Sequence, residues 1–267
     1  YSASGPSRTL DNFGTINWSG NSILYSYGTL NNLGTVNVSG VGTPYYSFVS
    51  GGANPTWNNF GTFTRSAGSV FYFNGAYVNN SGLLDIQQGT LDFNACTFTN
   101  TGTLSLALGC VFQSEGGSST TFTGNGLVYG PSYDSIRLGG ASAYIQTTNL
   151  STPTLWLQAG TVYQQTNIAV PQINLAGANL QFDLPCFLNQ LNHTNGGIQG
   201  RTLTVTNYNW YAGYQYRGTP GINLSDDRTI IPPGGVLNLP GTTSRYLSYY
   251  SASGPSRTLD NFGTINW

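Results

Sequence analysis

Residues able to do acid–base, nucleophilic or metal chemistry are few here: nine carboxylates, one histidine and three cysteines in 267 residues. Cleaving a glycosidic bond needs two convergent carboxyl groups, one to protonate the leaving group and one to activate water or attack. Only Asp226 and Asp227 adjoin, ahead of Arg228 in NLSDDRT, which reads as a solvated turn. Asp11, Asp85, Asp92, Glu115, Asp134 and Asp183 are dispersed, so the convergent oxygens of a calcium site do not assemble. His193 stands in NHTNGG without a Ser, Cys or acid motif beside it and reads as a surface-loop residue. Cys96, Cys110 and Cys186 are an odd set with no CxxC spacing, which disfavours zinc. They fit either one disulfide and a free thiol, or three small buried apolar residues. No G-x-S-x-G elbow occurs, and GGSS at Gly116 is followed by no Lys or helix, so no phosphate loop is expected. The expectation is a protein with no catalytic residue, no metal, no cofactor and no enzymatic role.

Covalent modification is the remaining chemistry. N-x-[ST] sequons fall at Asn17, Asn37, Asn79, Asn149, Asn192 and Asn223. They bear on glycosylation only if the protein is secreted from a eukaryotic cell. Asn17 and Asn37 occupy one repeated outward position, where glycans on strands about 4.8 Å apart would crowd each other. Asn79, Asn149, Asn192 and Asn223 are therefore the better candidates.

Composition narrows the partners. Charged residues make up 6%, against about 25% in ordinary soluble domains. Net charge is −1 and every basic residue is Arg, so no basic patch is available to hold nucleic acid. No apolar stretch approaches the length of a membrane-spanning helix. Aromatics reach 13%, too many for a disordered chain. They suit a wide core, contacts between filaments, or stacking on sugar rings. The chain contains no Met, which is expected of an internal excerpt.

The elements that carry these residues show themselves by repetition. TLDNFGTINW at Thr9 is followed by TLNNLGTVNV at Thr29, TWNNFGTFTR at Thr56, YVNNSGLLDI at Tyr77, TFTNTGTLSL at Thr97 and TFTGNGLVYG at Thr121. The spacings are 20, 27, 21, 20 and 24 residues. Leu10, Leu30, Trp57, Val78, Phe98 and Phe122 form one apolar column; Ile16, Val36, Phe63, Leu84, Leu104 and Val128 form a second. Polar positions alternate with apolar ones, the period of a half-buried strand. Gly14, Gly34, Gly61, Gly82, Gly102 and Gly126 hold one place in every copy, where a turn with positive φ is expected. Asn12, Asn32, Asn59, Asn80 and Asn100 precede them by two. Their amides are expected to bond to one another as a ladder, as in cross-β stacks. Further strand-like runs follow in each unit, and no 3.6-residue period occurs anywhere. After Gly130 the motif loosens while strand-like runs continue. Pro232 and Pro233 belong at a corner or edge.

A longer period encloses the short one. Tyr1–Trp18 and Tyr250–Trp267 are identical. Packing needs accept conservative exchanges, so identity means copying. The expected organisation is one solenoid unit over 1–249, with 250–267 beginning the next identical tandem copy.

The T-L-x-N-x-G-T columns, together with IIPPGGVLNLPG from Ile230, resemble the right-handed parallel β-helices of filamentous-haemagglutinin and autotransporter type. The resemblance spans about half the chain. It implies an exported, elongated, extracellular or cell-surface molecule and carries over no functional residue. The polygalacturonase motifs NTD, GHG and RIK are absent. The expected fold is all-β, a right-handed parallel β-helix of ten or eleven coils. The expected role is structural, the shaft of a filament or appendage whose partners are adjacent copies of itself. The alternative is an adhesin with a carbohydrate- or surface-binding face.

Overall fold

The computed structural model describes residues 8–21, 23–48, 54–114, 119–132, 135–140, 142–147, 149–216, 227–248 and 257–267. Every regular element among them is a β-strand. The strands pair in parallel, each with the strand one coil earlier and one coil later. The result is a parallel β-solenoid with three faces.

The first coil shows how the sequence makes the faces. Thr9–Asn12 begins the first face, Thr15–Trp18 the second and Ile23–Ser26 the third. Thr29–Asn32 then lies directly on Thr9–Asn12, in register residue by residue. The TLxN and TxNx halves of each motif therefore occupy adjacent faces, and the Gly between them sits at their shared corner. On the first face Leu30, Trp57, Val78 and Phe98 stack inward. On the second, Val36, Phe63, Leu84, Leu104 and Val128 do the same. The third contributes a buried aromatic column, with Tyr46 on Phe73 and Phe73 stacked on Phe93 at 5.1 Å. Burying one such ring stabilises by about 1.5–3 kcal/mol.

The C-terminal half keeps the winding, but some strands there run on through the bends between faces. Gln172–Phe182 runs unbroken from the third face to the first, and Cys186–Gly200 crosses all three. For this reason the first and third faces merge into one 24-stranded sheet, while the N-terminal second face stays a separate sheet of seven strands. Coil length is uneven. Thr29 to Thr56 is 27 residues, Tyr163 to Gln181 is 18, and Tyr214 to Tyr246 is 32. The turn count accordingly differs slightly from the ten or eleven that even spacing predicts. Pro232 and Pro233 stand between Arg228–Ile231 on the second face and Val236–Asn238 on the third, at a corner. No described helix is long and apolar enough to cross a membrane.

Candidate functional site: amide ladders and buried polar clusters

The buried asparagines form a continuous chain of hydrogen bonds. Asn12 Nδ2 donates to Asn32 Oδ1 at 2.8 Å, and Asn32 to Asn59, Asn59 to Asn80 and Asn80 to Asn100 at 2.7 Å each. The second hydrogen of each amide goes to a backbone carbonyl in the next coil: Thr35, Thr62, Leu83, Thr103 and Leu127 accept in turn. Each amide is thus a rivet joining one corner to the next. A parallel ladder lies outside it, where Asn31 donates to Asp11, Asn58 to Asn31 and Asn79 to Asn58. A third runs along the third face through Asn174, Asn192, Asn209, Asn238 and Asn266.

The glycine column has a different cause from the one expected. None of Gly14, Gly34, Gly61, Gly82, Gly102 and Gly126 has positive φ. Each after Gly14 instead lies against the carbonyl of the preceding glycine. A Cβ on Gly34, Gly61, Gly82, Gly102 or Gly126 would meet that oxygen at 2.0–2.3 Å. The carbonyl is fixed there because it accepts the N–H of the residue after the next glycine, as Thr62 N donates to Gly34 O at 2.9 Å. The corner needs absence of a side chain, not the left-handed region. Gly14 begins the stack and meets nothing.

Two polar residues depart from expectation. His193 is fully buried within Cys186–Gly200, not in a surface loop. Its Nδ1 is 2.9 Å from the Tyr208 hydroxyl and its Nε2 is 3.1 Å from the Gly196 carbonyl. The ring lies parallel to Tyr208 and Trp210. Burial depresses its pKa to about 4, so the ring is neutral at pH 7. Asp227 is likewise buried rather than in a solvated turn, and its Oδ1 accepts from Arg257 Nη1 at 2.6 Å. Asp226 lies outside the described residues. Sequence reasoning missed both residues because their partners, Tyr208 and Arg257, are remote in the chain.

Cys96, Cys110 and Cys186 are three buried free thiols. Burial raises the pKa of Cys96 and Cys186 to about 12, which makes them unreactive. Among the described residues no three His, Cys, Asp or Glu side chains come together as a metal site would require. Asn79 and Asn149 are exposed, though the Asn79 nitrogen is engaged by Asn58 in the outer ladder. Asn192 is built into the third-face ladder, where a glycan on its nitrogen would displace the bond to Asn174. Asn223 lies outside the described residues. Tyrosines stack between coils, the exposed Tyr214 on Tyr246 at 5.0 Å and the half-buried Tyr144 on Tyr163 at 4.7 Å.

The arrangement is suited to mechanical work: backbone ladders, amide ladders and ring stacks all run along one axis. No family model, no curated protein and no solved structure matches this chain.

Proposed function

We infer that this chain is a unit of the shaft of an extracellular filament or surface appendage, assembled from tandem copies of the same solenoid. The observation that carries the reading is the start of the repeated segment. Thr258–Asn261 stacks on Arg228–Ile231, and Thr264–Asn266 on Val236–Asn238, with parallel pairing. A solenoid ordinarily needs capping units at its ends; here a further copy supplies the next rungs. The shaft has no enzymatic role on this reading and needs no cofactor. An extracellular setting follows from the likeness to filamentous-haemagglutinin and autotransporter-type helices. A right-handed winding follows from the near-universal hand of parallel crossover connections.

Electron microscopy of the native material tests this. Fibres with an axial spacing of about 50 Å, ten or so rungs of about 4.8 Å, are expected. Monodisperse globules would overturn it.

The adhesin reading draws on the exposed aromatic pair Tyr214–Tyr246, an apolar feature of the kind that sugars pack against. Specific glycan retention that is lost in Tyr214→Ala would favour it. Asn149 is the position best placed to carry a glycan.

A further inference from the structure

Identical sequence does not mean identical position. In the first copy Thr9–Asn12 opens the first face and Thr15–Trp18 the second. In the second copy Thr258–Asn261 lies on the second face, on Arg228–Ile231, and Thr264–Asn266 lies on the third, on Val236–Asn238. The first face runs instead through Gly213–Tyr216 to Arg245–Ser248. One 249-residue copy therefore advances the winding by whole coils plus one face.

A specific buried cluster holds that offset. Arg257, which repeats Arg8, is 1% exposed although it belongs to the second copy's leading segment. It donates through Nη1 to Asp227 Oδ1 and Gly200 O, both at 2.6 Å. Through Nη2 it donates to Arg201 O at 3.0 Å and Arg228 O at 2.7 Å, and through Nε to Thr229 Oγ1 at 3.0 Å. All five acceptors belong to the first copy. Arg8, at the open edge, is exposed.

We propose that Arg257 and Asp227 form a latch that seats each copy on the preceding one with a one-face offset, so that successive copies turn by about a third of a revolution. The surface is the coil around Arg228–Asn238, and its partner is the leading segment of a second copy of this chain. The inference rests on the tandem-array reading. A feature confined to one face of a copy, such as the Tyr214–Tyr246 pair, then points in three directions along the array. Lateral contacts are distributed around the shaft rather than along one side.

The 267-residue chain contains the junction and is enough to test it. Asn238→Cys with Asn266→Cys should form a disulfide under mild oxidation, because the two side chains are bonded at 2.7 Å. Arg245→Cys with Thr258→Cys, the pair that would meet without the offset, should not. Preferential linkage of the second pair, or failure of the first, overturns the offset. For the latch, Arg257→Met with Asp227→Asn should speed amide exchange at Phe262 and Thr264 at least about tenfold. Those amides donate to Ile231 O and Gly235 O across the junction. Ser81 and Gly82, which donate to Asn59 O, should keep their protection and report that the body is folded. Unchanged exchange at Phe262 and Thr264 overturns the latch. Linkage and exchange are read within a single chain, so absence of fibres would count against the array and leave the junction standing.

Discussion

Asn59 stands in the middle of the inner ladder, fully buried, accepting from Asn32 and donating to Asn80 and to the Leu83 carbonyl. Asn59→Ala strands polar groups on both neighbouring coils, at about 1–3 kcal/mol for each unsatisfied buried group. The expected loss is about 3–5 kcal/mol in chemical denaturation. Asn58→Ala removes one rung of the outer ladder, where water replaces the lost partner, and should cost less than about 1 kcal/mol. Equal effects would show that the inner ladder is incidental. His193 supplies a pH signature. Its pKa is depressed from 6.5 to about 4 on folding, mainly by burial. The unfolded chain therefore takes up the proton first as pH falls below 6.5. The stability contributed by the neutral ring is complete above that value and lost as pH falls through about 4. The total is about 3 kcal/mol, and His193→Gln should remove that part of the slope between pH 6.5 and 4 in a denaturant titration.

At the scale of the element, the corner decides. If the glycine column is set by the carbonyl beneath it, Gly82→Ala must push apart two coils, since the Gly61 oxygen lies 2.0 Å from the new methyl. Gly109→Ala meets no atom but must hold φ at +82°. The expected costs are about 3 kcal/mol for Gly82→Ala and about 1–2 kcal/mol for Gly109→Ala. The reverse order would restore the positive-φ explanation. Because each coil contacts mainly its neighbours, Gly82→Ala should lower exchange protection around Asn80 and Thr103 and leave Leu188 and Leu203 unchanged. The corner also shows what the sequence can disclose. TLDNFGTINW and its relatives make the first two faces readable because three features, apolar alternation, Gly and Asn, recur together. A constant Gly signals either an unusual φ or a close approach, and letters alone do not separate the two. The C-terminal coils were legible only as strand-like runs, since Gln172–Phe182 turns from one face to the next at Gly177 without the Asn-x-Gly order of the N-terminal corners. His193 and Asp227 were misread because what buries them comes from other coils. The offset of the second copy was invisible, because eighteen identical letters carry no record of the face on which they lie.

For the whole molecule, what matters is that the described stack is open at both ends. At one end Leu10, Ile16, Trp18, Leu24 and Leu30 line an open end of the core; at the other Trp210, Leu237, Leu259, Ile265 and Trp267 do so. Both ends also present strand edges, which template further pairing. The winding ends on the third face at Thr264–Asn266 and begins on the first at Thr9–Asn12. One chain can therefore follow another without breaking the order of faces. The 267-residue chain should form linear end-to-end oligomers, with mass rising with concentration in light scattering. The contact is apolar and backbone-mediated, and only 6% of residues are charged. Raising salt from about 0.05 to about 1 M, which shortens the screening length to about 3 Å, should leave the association intact or strengthen it. Leu10→Lys with Ile265→Lys places a desolvated charge at each end and should return the chain to monomer without altering its far-UV spectrum. Dissociation by salt in the unmodified chain would mean that the joint is electrostatic. A solenoid of this composition would then owe its end-to-end cohesion to its few charges, and the absence of lysine and scarcity of acids would have no bearing on it. Persistence in salt combined with loss on Leu10→Lys and Ile265→Lys would tie end-to-end growth to the forces that hold one coil on the next.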